Sequence, residues 1–299
     1  MKEQIRIAAV MVTFNPELAT VTNVALLLQQ VEELIVVDNG STPSSLTMLR
    51  EARDHYAFTL IDNEANMGIA AALNLGVRLA LQKGYQWVLL FDQDSTVTDG
   101  FAEAMLEGYR AHPSGDTVAI FCPHYVDRVS GAPVETTRLD GQGGPIVAMT
   151  SGSLMPAWVF GRCGWFMEEL FVDQVDVEYC FRVRAAGYGL ARCPQARLVH
   201  SAGSPRMHRV WPLGRFRATH HSALRRYYIT RNRLWVARQY RRLHPRWCTR
   251  ILWTIGADTI KLLLVEHSRV EKLWSTLRGI RDGWKATLGE RIVSQSTTK

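Results

Sequence analysis

Two groups of carboxylates stand where the sequence changes character. In Trp87-Val88-Leu89-Leu90-Phe91-Asp92-Gln93-Asp94, an apolar run of strand length ends in two aspartates spaced by one residue. Carboxylates this close repel each other unless a cation lies between or beside them. Hard divalent ions such as Mg²⁺ or Mn²⁺ take oxygen ligands, and Mg²⁺ is usually held by one or two protein carboxylates with substrate phosphates completing its shell. A lone Asp-x-Asp more often marks a solvated turn, but the end of an apolar strand favours the cation. Farther on, Glu169 to Glu178 contains Asp173, Asp176 and Glu178. A carboxylate beside a hydroxyl can take its proton in the transition state. The same spacing admits plainer roles: Asp173 as the N-cap of a helix beginning near Gln174, and Glu178 with Arg182 as an i,i+4 surface pair.

Regular elements must bring these groups together. "IRIAAVMVTF" is a nearly continuous apolar run, and "PELATVTNVALLLQQ" follows with helical spacing. "ELIVVDNGS" and "AFTLIDNEANMG" read as two further strands running into turn residues. In "GIAAALNLGVRLALQKG", Ile69, Ala72, Leu73, Gly76, Leu79 and Ala80 share one helical face. Strands that are apolar throughout, separated by helices, predict parallel pairing with both faces covered. In such sheets ligands bind beyond the carboxyl ends of the strands. That rule gathers four polar clusters: Thr13-Phe14-Asn15, Asp38-Asn39-Gly40-Ser41, Asn66-Met67-Gly68 and Asp92-Gln93-Asp94. Asn39-Gly40-Ser41 alone reads as turn chemistry. A carboxylate or amide at the end of every strand reads as a shared site.

With 299 residues, 47% hydrophobic and 21% charged, the chain has the composition of a globular protein with a full core. No window approaches the roughly 18 uninterrupted apolar residues of a membrane span, and the N-terminal run reads as a first strand rather than a signal peptide. Five cysteines without a C-x-x-C pair favour a reduced, cytosolic setting over a disulfide framework. No zinc-ligand spacing, serine nucleophile elbow or Walker-type glycine loop is present. The charge is divided. Residues 1–196 hold 13 Lys+Arg and 23 Asp+Glu, a net of −10, whereas 197–299 hold 22 and 5, a net of +17. Such asymmetry predicts two functional parts, the second facing an anionic partner.

The ordered set "VTFNP", "VVDNGS", "NMGIAAALNLG", "FDQDS", "SGSLM" and "ELFVDQVDVEYCFR" resembles the family 2 glycosyltransferases of the GT-A fold, over about the first 200 residues. Taken with "RRYYITRNRLWV", it is most similar to bacterial rhamnosyltransferases, including those that build O-antigen and rhamnan chains and the one that adds the second rhamnose of rhamnolipid. The resemblance implies an α/β GT-A fold with a mostly parallel central sheet and a dTDP-L-rhamnose donor. It implies that Asp38 meets the pyrimidine edge, with Thr13 and Asn15 lining the nucleotide pocket. Asn66 and Gly68 would lie against ribose and diphosphate, and Asp92 and Asp94 would bear on Mg²⁺ or Mn²⁺, with His200 a possible further ligand. Inverting transfer needs a base, and alignment through Arg182 points to Asp176, with Asp173 the alternative because Val175 stands where the family commonly has Glu. Ser151, Gly152 and Glu178 fall on the acceptor side. Trp165, Phe166 and Phe171 could form an apolar acceptor wall, although core packing explains at least two of them as well. His220 and His221 have no clear partner pattern.

The division expected is a catalytic domain over 1–203 and a basic, amphipathic helical region over 204–299. In the latter the resemblance suggests a donor lid and a diphosphate grip through Arg231 and Asn232. Basic helices bearing Trp247, Trp253, Trp274 and Trp284 fit an anionic membrane surface; part of the arginine face is simply solvated. Nucleic acid is not expected, since the acidic first part would repel it. The expected activity is metal-dependent, inverting rhamnosyl transfer to a lipid or lipid-linked glycan, by an enzyme peripheral on the inner face of the cytoplasmic membrane. Alternatives are another sugar nucleotide, a nucleotidyltransferase, or a non-catalytic adaptor, which would have no need of Asp38, Asp92, Asp94 and Asp176 together.

Overall fold

The computed structural model describes residues 5–128, 130–134, 139, 144–200 and 221–289, with the backbone of 206–210 and 214–218. The boundary expected at 203/204, and His220, lie outside the described residues. Strands β1 (Ile7–Thr13), β2 (Glu33–Asp38), β3 (Thr59–Asp62) and β4 (Trp87–Asp92) alternate with helices α1 (Leu18–Leu28), α2 (Pro43–His55) and α3 (Ile69–Gln82). They pair in parallel, as their apolar runs predict, and in the order β3-β2-β1-β4. β1 is buried along its whole length, which is why its sequence does not alternate. The register sets Thr13 beside Asp38 and Val12 beside Asp92. The polar clusters therefore do meet at one edge.

Beyond β4, the sheet continues through β7 (Leu154–Pro156), β6 (Val118–Asp127), β8 (Gly189–His200) and β5 (Thr96–Val97). β7 runs antiparallel to both β4 and β6, and β5 antiparallel to β8. Helices α4 (Phe101–Ala111), α5 (Trp158–Cys163) and α6 (Val175–Ala185) complete this part. α3 packs on β1 and β2, burying Ala70, Ala72, Leu73, Gly76, Val77 and Ala80, so the true inner face is rotated slightly from the expected one, with Ile69 and Leu79 at its edge. The five cysteines are all buried and unpaired.

β9 (Arg206–Val210) and β10 (Gly214–Ala218) form a separate antiparallel pair. Helices α7 (Ala223–Gln239), α8 (Pro245–Val265) and α9 (Arg269–Lys285) follow. α7 is the buried member of the three. Arg226 Nη2 donates to Glu266 Oε1 (2.6 Å) and Lys272 Nζ to Glu266 Oε2 (2.7 Å), so one buried carboxylate joins the three helices. Removing one partner of such a buried cluster costs about 3–5 kcal/mol. α9 approaches α7 at backbone distance: a Cβ on Gly279 would stand 2.7 Å from Tyr227 O, and one on Gly283 2.5 Å from Arg231 O. Among the described residues, no helix is long and apolar enough to cross a membrane.

Gly283→Val should therefore force α9 off α7 and cost about 1–3 kcal/mol. Gly256→Ala, where an added methyl meets nothing within 4 Å on α8, should be neutral or stabilise by up to about 1 kcal/mol. Urea unfolding of the two variants checks the pair. Equal midpoints would mean that the close approach of α7 and α9 carries no stability.

Candidate active site

The edge formed by the ends of β1, β2 and β3 is tied together by short polar side chains. Asp38 is fully buried, and its carboxylate accepts from Thr13 Oγ1 (2.9 Å), Ser41 N (2.9 Å) and Ser41 Oγ (2.6 Å). Asn15, at φ 47°, donates its amide to Ser41 Oγ (2.7 Å) and accepts from Thr42 N (2.8 Å). Asn39 Oδ1 accepts from Met67 N (3.0 Å), and Asn39 Nδ2 donates to Asn66 Oδ1 (3.0 Å), which also accepts from Gly68 N (2.9 Å). Asn39-Gly40-Ser41 is thus more than a turn: its side chains hold Asp38 on one side and the loop before α3 on the other. Gly68, at φ 86°, lies where any Cβ would strike Phe171, and the next amide, Ile69 N, donates to Phe171 O (2.8 Å).

The end of β4 is braced from β8 and from the loop before β7. Ser151 Oγ accepts from Asp92 N (3.1 Å) and bonds Ser95 Oγ (2.7 Å), which meets His200 Nδ1 at 3.1 Å. His200 is beside Ser95 because β5 pairs Thr96 with Val199. Gln93 takes no part at the cation position; its side chain bonds the Phe14 backbone amide (2.7 Å) and locks β1 to β4. Burial, and then the charge of Asp94, push the Asp92 carboxyl up to about 6, while Asp94 itself is exposed. Among the described residues, no three His, Cys, Asp or Glu side chains are gathered as a metal site. A cation held by one or two carboxylates and a substrate diphosphate needs no such cluster. A cation would relieve the repulsion from Asp94 that adds to burial in raising Asp92, so Asp92 and Asp94 fit that group; His200 reaches the Asp92 backbone only through Ser95 and Ser151.

The acidic loop lies against this edge. Burial foremost, then the charges of Asp173 and Asp92, push the Asp176 carboxyl up to about 6, against the opposing pull of the Val177 amide (2.8 Å). The fold therefore brings Asp92 and Asp176, far apart in sequence, within electrostatic reach of each other. Asp176 sits in the first turn of α6, whose N-cap is Gln174 with no side-chain capping bond; the capping role open to Asp173 is not realised. Asp173 instead faces Arg225 (Oδ2 to Nε, 3.8 Å). Phe171, Asp173 and Gln174 all have φ between 63° and 70°, a region that costs a non-glycine residue about 1–3 kcal/mol and persists only when the surroundings enforce it.

Arg231 and Asn232 supply that enforcement, and the expectation that they grip the donor is corrected. Both are buried, at 1% and 0% exposure. Asn232 Nδ2 donates to the carbonyls of Leu170, Val172 and Asp173 (2.7–3.0 Å). Arg231 donates to Asn232 Oδ1, Glu169 O, Leu170 O and Gly289 O (2.6–3.1 Å) and lies over the rings of Tyr227 and Tyr228. A guanidinium so occupied cannot reach a diphosphate.

Four further expectations change. Glu178 is neither a surface pair nor an acceptor contact: it is buried, with both oxygens on Arg182 (3.0 and 2.5 Å) and Tyr240 Oη on one of them (2.8 Å). Ser151 and Gly152 are buried too, Gly152 N donating to Leu90 O (2.6 Å), so they buttress Asp92 rather than touch an acceptor. Thr13 and Asp38 are covered, so the pair frames the pocket from behind instead of presenting a carboxylate to a base. Similarly, the amides of Gly68 and Ile69 are used within the protein and do not point out at an anion. Phe166 is core, Trp165 lies under Arg78, and Phe171 stacks on Tyr228 at 5.0 Å. His221 is shifted down by burial foremost and then by the charge of Arg225, against the opposing charge of Asp173. Sequence reasoning passed over the bracing residues Asn39, Ser41, Gln93 and Ser95. It also passed over Gln174, whose Oε1 is buried without a partner, and exposed Phe14 and Met67, whose backbone amides are held by Gln93 and Asn39.

This geometry has relatives. The profile of "Glycosyl transferase family 2" matches residues 8–155. The chain is 30% identical over 251 residues to the dTDP-rhamnosyl transferase RfbF of Shigella flexneri, covering 78% of this chain and 80% of that protein. It is 29% identical over 94 residues to poly-beta-1,6-N-acetyl-D-glucosamine synthase of Staphylococcus epidermidis, covering 31% of this chain and 22% of that protein. Among solved structures, it resembles S. aureus TarS 1-349 in complex with UDP-GlcNAc (TM-score 0.60, 14% identity, 94% of this chain and 81% of that one). It also resembles the mannosyltransferase PcManGT of Pyrobaculum calidifontis in complex with GDP-Man and Mn²⁺ (TM-score 0.54, 14% identity, 95% and 87%). At those identities the structural likeness establishes a common fold, the GT-A α/β fold. With the conserved length of the match to the rhamnosyl transferase, it follows that this chain is a member of the family 2 glycosyltransferases, and a glycosyltransferase enzyme.

Proposed function

We propose that the protein transfers L-rhamnose, with inversion, from dTDP-L-rhamnose to a hydroxyl of a lipid or lipid-linked glycan at the inner face of the cytoplasmic membrane, using Mg²⁺ or Mn²⁺. The observation that carries the reading is that Asp92, at the end of β4, lies within electrostatic reach of Asp176 in the first turn of α6. The likeness to a dTDP-rhamnosyl transferase supports the choice of sugar. In this reading exposed Phe14 and Met67 offer apolar surface to the nucleobase, while Asn15 and Asn66 fix the pocket's rim. Asp94 and Asp92 would hold the divalent cation, which would supply positive charge for the leaving diphosphate. Asp176 is the base. Its carboxyl is already raised toward neutrality, the range in which a side chain both holds and releases a proton effectively. Asp173, drawn toward Arg225, serves the loop's shape.

Purified protein with Mg²⁺ or Mn²⁺ should bind dTDP-L-rhamnose more tightly than UDP-glucose or UDP-GlcNAc; calorimetry giving an equal or reversed order would reject the sugar while leaving the family intact. Asp94→Ala should abolish the metal dependence of donor binding, and an undiminished response to chelator would remove Asp94 from that role.

Asp176→Asn should leave donor affinity in place and lower the transfer rate by about 10²–10⁴-fold. The wild-type rate should fall as pH drops through about 6, where Asp176 takes up a proton. If Asp173→Asn loses transfer and Asp176→Asn does not, the base is the other carboxylate. The same shifts affect stability. A carboxyl raised from 3.8 to about 6 on folding contributes stability that is full below pH 3.8 and is lost as pH rises through 6. Metal-free Asp92→Asn should therefore lose less stability than wild type between those pH values, measured by thermal unfolding.

A further inference from the structure

α9 is amphipathic in the reverse sense. The face packed on α7 is small and polar: Ser275, Thr276, Gly279, Asp282 and Gly283 are buried there, with Asp282 Oδ2 accepting from Tyr227 Oη (2.9 Å). The opposite face holds Val270, Trp274 and Trp284, at 71%, 59% and 63% exposure. A helix at the surface of a protein in water normally turns its apolar stripe inward. α8 repeats the arrangement. It meets α7 through the Arg233–Asp258 pair (2.8 Å) and buried Leu262, and turns out Trp253, Ile260 and Leu264. Together the two helices carry ten of the eighteen large apolar side chains that stand exposed among the described residues. An apolar concentration of this kind marks a surface that is covered in use.

Charge identifies the cover. Exposed Arg246 and Arg250 border the stripe of α8, and exposed Arg278 and Lys285 that of α9, at helical spacing. A second copy of the chain would set these cations against their own kind. Anionic lipid headgroups match them, and indole rings at the boundary suit a headgroup layer, with one end apolar and the other wet. We propose that the outward faces of α8 and α9 lie in the plane of an anionic membrane leaflet, with Trp253 and Trp274 at headgroup depth. Trp247, expected among the lipid-facing tryptophans, is not one of them; it packs edge-on against Phe181 at 4.8 Å. Because α7 also holds the loop leading to Asp176, docking through α8 and α9 would fix the active site's orientation to the membrane. The face itself is argued from these helices and not from the donor assignment.

The test is co-sedimentation of the full chain with vesicles of phosphatidylcholine, with and without phosphatidylglycerol. Anionic vesicles should retain about tenfold or more protein than neutral ones at low salt, less so at high salt, with a blue shift of tryptophan emission. Trp253→Ser combined with Trp274→Ser should lower retention about tenfold, with circular-dichroism melting unchanged because both side chains are exposed. Arg250→Glu with Arg278→Glu should remove the preference for anionic lipid. Undiminished binding by the tryptophan variant, or no retention of wild type, would overturn the proposal. A dimer in sedimentation equilibrium that the same tryptophan changes dissociate would assign the face to a second copy instead. All readouts are of lipid binding or mass, so they stand whichever sugar nucleotide the enzyme uses.

Discussion

The side-chain amide of Asn232 has three carbonyl oxygens around it, those of Leu170, Val172 and Asp173, and the guanidinium of Arg231 holds the carbonyls just upstream. Both groups are sealed from water, where a hydrogen bond is electrostatically stronger and an unmade one is costly. They hold a segment whose backbone would not adopt its positive φ values unaided. From that segment the chain enters α6 and delivers Asp176 one turn later. The same segment receives the amide of Ile69 through Phe171 O and excludes any side chain at Gly68. The loops on the two sides of the site are thus one mechanical unit, clamped from a helix late in the sequence.

Environment, more than residue type, separates the carboxylates. Glu178 is buried with Arg182 and Tyr240 on its oxygens, and that pairing makes it a strut between α6 and the residues after α7. Asp92 and Asp176 are half-buried and are raised foremost by burial, with neighbouring negative charge adding to it. A paired carboxylate stabilises the ion it already is; one raised toward neutrality is poised to gain or give up a proton, or to take a metal ion. Perturbed acids in a cleft are candidates for function on this ground.

The division of charge along the chain has a structural counterpart. α7 is buried against the acidic loop and needs its arginines for internal bonds, so part of the positive excess never reaches solvent. Of the cations that do stand exposed, Arg246, Arg250, Arg278 and Lys285 lie on α8 and α9 beside outward tryptophans. α9 can turn its apolar side away because its inner side, built on Gly279 and Gly283, approaches the α7 backbone too closely for large side chains.

The amino-acid sequence alone determined the parallel pairing of β1–β4, because strands buried on both faces read as unbroken apolar runs and a local pattern is enough to mark them; their order in the sheet was decided by the tertiary structure. It also determined the gathering of Thr13, Asp38, Asn66 and Asp92 at one edge, since strand ends in a parallel sheet share a side. Tertiary structure decided what each polar group does there. Arg231 and Asn232 look like ligands of an anion in one dimension, and only the fold sets the 169–173 carbonyls against them. Glu178 has the spacing of a surface pair, but it is buried with Tyr240 on its carboxylate. Asn39 and Ser41 have the composition of any turn, and their worth depends on partners 3 to 28 residues away. Hydrogen-bond acceptors and burial are properties of a neighbourhood in space, which periodicity along a chain does not encode.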